Sequence, residues 1–400
     1  MRASSIVGNA RSYPAAWLGA LLLLVYLFCA AGAGGMLLTA LLLACSAMFL
    51  VVTSSQLFCR QNALAVIFVL ALCLIALATP SPAWDARSIW LFHGKRIFYD
   101  ASLYAQLDNY AVWSHNDYPA LVPALMASVA HVIGHWNDVF PKVVVPLAML
   151  PSLLVILPRI PRLEWRMVFL LVLVALGGNH LVDGYVDALL SLAFVAVFLL
   201  INEITATDEP DFGQYVQLTI IAALLALVKN EGAALLLCAA FAGLVGTLLR
   251  GRRMKFALVV SLAVAILPLL AWKLSVAHAG LSNDLAGSDL MGQITGRLRD
   301  IRSYWLLIDS LLLSLPTLIL LSPLLLIASV ARRNSISLYV LPACASYVAV
   351  LVVVYMSTPN DLAWHLSTSA DRTMLPVWLL ATCALLVDLT TRRERVQGAC

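Results

Sequence analysis

The sequence predicts an all-α polytopic membrane protein, and three observations predict it. Of the 400 residues, 62% are hydrophobic and 12% charged, with a mean hydropathy of +0.94. A soluble chain of this length does not need that much apolar side chain to build a core. Apolar runs able to cross about 30 Å of hydrocarbon recur from end to end, and in lipid such runs are helices because nothing else satisfies their backbone. Basic residues fall in clusters between the runs, as orientation by positive cytoplasmic loops requires.

The runs, in order, are 15–33, 36–58, 63–80, 143–158, 167–180, 186–202, 215–228, 231–249, 256–276, 304–330, 336–356 and 372–390. They give about twelve transmembrane helices, ten to thirteen depending on how the short ones are read, in one transmembrane domain spanning 1–400. Counted from an inside N-terminus, the basic clusters share one side: Arg2 and Arg11, Arg60, Arg159 with Arg162 and Arg166, RGRRMK at 250–255, Arg332 with Arg333, and Arg392, Arg393 and Arg395. Both termini are then expected in the cytoplasm, with the chain in a bacterial cytoplasmic (inner) membrane. The net charge of +4 follows from this bias and calls for no nucleic acid. None of the eight cysteines falls in an outer loop, and their spacing fits neither a disulfide framework nor a zinc site. AAGAGG at 30–35 follows a basic start and an apolar run, but a second run comes at once, which suits a helical hairpin better than a cleaved signal peptide.

On this count one large extracytoplasmic loop, 81–142, dominates the outer side. Its aromatic residues, among them Trp84, Trp90, Tyr104, Tyr110, Trp113 and Trp136, suit short helices packed at the membrane interface. The apolar stretch 118–134 would add one crossing too many for the charge parity, and is read as re-entrant or interfacial.

Ionisable groups in or beside a membrane are costly, roughly 2.5–3.5 kcal/mol at a helix centre, so each needs a reason. SPAWDARSIWLFHGKRIFYD, 81–100, places Asp85 directly behind the third run, with Arg87, His93, Lys95 and Arg96 following. There a carboxylate stays wet yet close to a lipid head group, which suits a general base; the structural alternative is a helix cap. SHNDYPALVP adds His115, Asp117 and Tyr118, with loop capping favoured over a two-ligand metal site. NHLVDGYVDALL sets Asp183 and Asp187 four residues apart, on one face if helical, to orient hydroxyls or a cation, or merely to form a solvated turn. LVKNEGAALLL interrupts a long apolar stretch with Lys229 and Glu231, as a structural ion pair or as substrate contacts. STSADRTMLPVW puts Asp371 and Arg372 at the start of the last run, where Arg372 can grip a phosphate in bidentate fashion. All five motifs reach the same membrane face on the twelve-span count, as an active site assembled from several helices would.

Taken in order, WDARSIWLFHGKRIF, HNDYPALVPAL, GYVDALLSL, VKNEGAALLL and SADRTMLPV resemble the integral-membrane glycosyltransferases of the GT-C superfamily, in particular the bacterial protein mannosyltransferase and lipid A aminoarabinose transferase group. The likeness runs from about residue 80 to 390. It implies transfer of a sugar from a polyprenyl-phosphate donor to an extracytoplasmic acceptor, a glycolipid, polysaccharide or protein, with inversion at the anomeric carbon. It implies Asp85 as the general base, Arg372 or Lys229 on the phosphate, and Trp84 and Trp90 against sugar or polyprenyl chain. WDAR lacks the second acid that metal-using relatives carry beside that position, so the resemblance calls for no cofactor and leaves a divalent cation open. The alternative class is a secondary transporter or lipid-carrier flippase, which also combines about twelve spans with buried charge; a third is an inactive scaffold of an envelope assembly.

Overall fold

The computed structural model describes residues 13–32, 35–57, 59, 61–79, 83–103, 111–281, 289–329 and 336–397. Tyr104, Asp108 and Tyr110 of the large loop, and the basic residues Arg2, Arg11, Arg60, Arg332 and Arg333, lie outside them.

The described residues contain helices and no strand. In chain order the α-helices are α1 Pro14–Ala30, α2 Met36–Leu57, α3 Ala63–Ala78, α4 Leu91–Asp100, α5 Leu121–Ile133, α6 Val144–Arg159, α7 Leu163–Gly177 and α8 Asp187–Ala206. They continue as α9 Phe212–Val228, α10 Asn230–Leu249, α11 Phe256–His278, α12 Leu290–Arg299, α13 Ile301–Leu307, α14 Leu315–Ser329, α15 Ser337–Ser357 and α16 Leu362–Gln397.

Each of the twelve runs falls on helix, but the run 304–330 is split between α13 and α14, the last run lies within a helix that starts ten residues earlier, and length separates the rest. Seven helices are long and apolar enough to cross a membrane, and an eighth crossing is made if Ile301–Leu312 and Leu315–Ala328, bent 71° at their break, count as one span. The others, including Pro14–Ala30, Ala63–Ala78 and Phe212–Val228, are shorter apolar helices. The coarse expectation of a multi-pass helical membrane protein therefore holds, with seven or eight evident spans. In the large loop, a π-helical turn Ala86–Trp90 leads into α4, and α5 follows. At 1.5 Å per residue the 13-residue α5 is about 20 Å long, too short to cross.

The bundle is organised around α8, which has 89% of its apolar window buried against 28% for α7 and α11. It packs against α6, α9, α10 and α16. Its small residues Ala188, Ser191, Ala193 and Ala196 are buried and let neighbouring backbones approach. Both its ends are electrostatically matched to the helix dipole. Asp187 occupies the first turn. At the last turn Lys255 donates to the carbonyls of Ile204 and Thr207, and Arg250 to the side chains of Asn202 and Thr205. RGRRMK, expected as a cytoplasmic cluster, is thus also the C-terminal cap of the central helix.

α9 and α10 form a hairpin whose link is a single extended residue, Lys229 (φ −160°, ψ 162°). α9 begins with a capping box in which the Asp211 side chain accepts from Gln214 N–H while Gln214 returns the bond to the Asp211 backbone. So short a link brings the helices into near contact at Gly232, where a Cβ would lie 1.9 Å from the Leu225 carbonyl oxygen of the facing helix. Backbone cannot yield as a side chain can.

Gly232→Ala is therefore expected to destabilise the protein by about 2 kcal/mol or more. Gly246→Ala, where a Cβ meets a tyrosine ring edge at 3.1 Å, should cost clearly less. Thermal unfolding in detergent, followed by helical circular dichroism, ranks the two.

Candidate functional site

The α9–α10 link, the loop before α8, the π-helical turn, and the facing ends of α15 and α16 enclose a cavity of about 880 Å³. Its floor is an ion network. Arg372 Nη1, on α16, lies 2.6 Å from Asp85 Oδ2 and 3.7 Å from Asp187 Oδ2. Lys229 Nζ lies 3.3 Å from Asp187 Oδ1 and 2.9 Å from Glu231 Oε1. Three carboxylates thus face two cations in one chain of contacts, with Asp187 at its centre. Glu231 Oε2 is buried without a hydrogen-bond partner among the described residues.

Aromatic rings frame the cations. The Arg372 guanidinium sits 4.6 Å from the centre of the Tyr185 ring, and Lys229 Nζ 5.9 Å from that of Tyr118. Burial and then the Asp85 carboxylate push the Tyr185 phenol up, so it stays protonated. His115, at a left-handed φ of 48°, stacks on Tyr118 with centroids 4.6 Å apart. Trp84, Trp113 and Trp364 are all more than half exposed where they line the cavity, and make an aromatic rim. Val350, Leu351 and Val354 of α15 give it an apolar side.

Local structure explains why these groups converge. Gly184, at φ 99°, leaves no room for a Cβ, which would stand 2.7 Å from the Ala86 Cβ. That close approach, with Ala83 N–H donating to the Asp183 carbonyl (3.2 Å), fixes Asp85 against the turn preceding Asp187. Asp117 ties the aromatic loop to the hairpin: its Oδ2 accepts from Asn230 Nδ2 (2.7 Å) and Lys273 Nζ (3.3 Å), and its carbonyl accepts from Trp272 Nε1 (3.0 Å).

Of the sequence-predicted residues, Trp84, Asp85, Trp90, His115, Tyr118, Asp187, Lys229, Glu231 and Arg372 line this one cavity. The rest do not. Asp117 lies behind it in the Asn230–Lys273 cluster. Asp183 shapes a turn, with Oδ1 accepting from Tyr185 N–H (3.2 Å) and Oδ2 3.3 Å from His180 Nδ1. His93 and Arg96 are buried anchors bound to the carbonyls of Ser114 (2.9 Å) and Leu103 (2.8 Å). Arg87, Lys95 and Asp371 are exposed and outside the lining. The sequence reading missed Tyr185, Asn230, Tyr347, Tyr355, Thr358 and His365, all of which line it. A signal for His365 was present: with Ser369 and Arg372 it falls at i, i+4 and i+7, one face of a helix. Among the described residues no three His, Cys, Asp or Glu side chains converge to hold a metal ion.

No protein-family model, curated protein or solved structure matches this chain.

Arg372→Met would leave Asp85 and Asp187 without their shared cation, and breaking a buried pair from one side costs about 3–5 kcal/mol. Arg372→Lys keeps the charge without the fork, and should recover part of that stability in the same denaturation assay.

His93 supplies a pH test. A carbonyl only accepts, so Nε2 carries the hydrogen given to Ser114, and burial holds the ring down to about 4 from its ordinary 6.5. The folded protein therefore resists a proton that the unfolded chain takes up. Stability should be full above pH 6.5 and fall by roughly 3 kcal/mol as pH drops through about 4. His93→Gln, which retains a donor for Ser114, should flatten that limb of a stability–pH profile.

Proposed function

We propose that this protein is a GT-C-type membrane glycosyltransferase moving a sugar from a polyprenyl-phosphate donor to an extracytoplasmic acceptor. In this reading the chain crosses the bilayer twelve times, α5 excluded, with both termini in the cytoplasm. The loop 81–142 then forms an outer interfacial ledge, and the cavity opens on the extracytoplasmic face of the inner membrane. The observation that carries the proposal is the meeting of a carboxylate, a guanidinium and an ammonium inside one cavity that also has an aromatic rim and an apolar side. A lipid-linked sugar phosphate presents the matching set: an anion, a ring that stacks on aromatic faces, and a hydrocarbon chain.

Arg372 and Lys229 hold the phosphate oxygens, and their charge counts most as the bond from the anomeric carbon to the phosphate oxygen breaks. The acceptor hydroxyl attacks that carbon from the opposite side, forming the new glycosidic bond with inversion. Its proton passes to Asp85, whose Oδ2 is held by Arg372 and whose Oδ1 takes no hydrogen bond from the described residues. Asp187 orients Arg372 and Lys229 without touching substrate. The competing reading, a transporter or flippase, draws on one observation, the extended Lys229 between two apolar helices.

Transfer of radiolabelled sugar from a polyprenyl-phosphate donor pool, in membranes with matched expression, separates these readings. Wild-type protein should incorporate label, and Asp85→Asn should lose it by about 10²-fold or more. Equal incorporation by both would remove Asp85 as the base; no wild-type incorporation across a broad panel of donors and acceptors would favour transport.

A further inference from the structure

Beside the ionic floor, the cavity has an uncharged wall made by the end of α15 and the first turns of α16, and its hydrogen bonds are nearly all spent. Thr368 Oγ1 donates to the Trp364 carbonyl (2.9 Å), Ser369 Oγ to that of His365 (2.6 Å), and Thr373 Oγ1 to that of Ala370 (3.1 Å). Tyr355 OH lies 2.9 Å from both Ser369 Oγ and Thr373 Oγ1, so its hydrogen goes to one of them. These groups offer the cavity lone pairs and no hydrogens.

His365 breaks the pattern. Its Nδ1 lies 2.9 Å from Thr358 Oγ1, and that oxygen already accepts from Asn360 N–H (3.3 Å). Thr358 is buried, and a buried hydroxyl hydrogen needs an acceptor. Among the described residues His365 Nδ1 is the acceptor it has, so Thr358 donates to Nδ1 and the ring hydrogen sits on Nε2. The turn that fixes Thr358 is itself pinned by Arg297, which donates to the carbonyls of Tyr355 (2.9 Å), Met356 (3.0 Å) and Asn360 (2.8 Å). Nε2–H has no protein acceptor among the described residues, on a half-buried ring that lines the cavity. Among the side chains of Tyr355, Thr358, Thr368, Ser369, Thr373 and His365 it is the one donor not spent on the described residues.

A row of oxygen lone pairs with one N–H repels a phosphate, which only accepts, and matches hydroxyl groups, which donate and accept. The row is also placed for a sugar. His365 and Arg372 are seven residues apart on α16, about 10 Å along one face, so a phosphate at Arg372 directs its glycosyl group along the wall. We propose that His365, held in this tautomer by Thr358, donates a hydrogen bond to a hydroxyl oxygen of the transferred sugar. The wall of α15 and α16 is then the seat of an uncharged polyol ring. This rests on the glycosyl-transfer reading for the identity of the ligand, but its test requires no turnover.

Binding to purified protein in detergent, followed by tryptophan fluorescence, compares farnesyl phosphate with hexosyl and pentosyl farnesyl phosphates. Wild type should bind at least one glycosylated ligand roughly tenfold more tightly than farnesyl phosphate. His365→Phe should lose that preference while binding farnesyl phosphate unchanged. His365→Gln, which keeps an N–H donor, should retain part of it, and Thr358→Val should weaken it. In ¹⁵N-histidine spectra, the His365 signals, assigned by their absence in His365→Gln, should show Nε2 protonated and Nδ1 bare. No glycosyl preference in wild type, an equal loss for both ligands in His365→Phe, or a proton on Nδ1 would each overturn the proposal. Failure of sugar transfer with the preference intact would instead count against the enzymatic reading.

Discussion

Arg372 is the contact on which the site depends. It joins Asp85, 287 residues away in the chain and in the segment that leads into the π-helical turn, to Asp187, at the head of the central helix. Neither carboxylate has another route to neutrality as good: Asp187 shares Lys229 with Glu231, and Asp85 has Arg372 alone among the described cations within ion-pair distance. Nη1 faces both carboxylates while Nη2 donates to the Thr368 carbonyl (3.2 Å), and a guanidinium remains charged when stripped of water. The Tyr185 ring covers one of its faces, so the cation is held by chain that arrives from different elements while it still faces the cavity.

The same economy governs α8. A helix this deeply buried has both its orphan ends in low dielectric, where unsatisfied groups are expensive. At the N-terminal end Asp187 sets a negative charge in the first turn, with two cations around it; at the C-terminal end Lys255 takes up backbone carbonyls and Arg250 the side chains of Asn202 and Thr205. The polar groups of the cavity are therefore partly a consequence of how the central helix is terminated. That end offers the bundle a place where charge is stabilised already, before any ligand is considered.

The helical, multi-pass character was legible in the sequence because hydropathy is a one-dimensional property: each apolar run falls on helix, although the run 304–330 is broken at a 71° bend and the last helix starts ten residues before its run. Length was less legible, since α1, α3 and α9 read as spans but fold as helices of 16 or 17 residues. The site divides along a similar line. Asp85, Asp187, Lys229, Glu231 and Arg372 stood out because charge in an apolar context is rare and costly. Asp117, Asp183, His93 and Arg96 stood out for the same reason and proved to be anchors, because a carboxylate or cation that ties down a loop looks identical in sequence to one that lines a cavity. Tyr347, Tyr355 and Thr358 left no trace, since tyrosine and threonine are unremarkable at the end of a membrane helix; what makes them cavity residues is the packing of α15 against α16.

Charge accounting links the floor to the proposed chemistry. Among the described residues three carboxylates and two cations line the cavity, one negative charge in excess. A sugar phosphodiester adds one more negative charge, and the released phosphomonoester carries close to two near neutral pH. During transfer the total does not change, because the proton taken from the acceptor hydroxyl rests on Asp85 and offsets the new charge on the phosphate. Once Asp85 gives that proton to water, the balance fails. On the proposed chemistry the regained carboxylate, 2.6 Å from Arg372 in the structure, competes with the phosphate for that cation, and the product is repelled from a floor that again holds more acids than bases. Under the proposed glycosyl transfer, the Arg372–Asp85 contact is thus the arrangement the site regains after each turnover, and the excess of carboxylates around it favours release of the spent lipid over its retention.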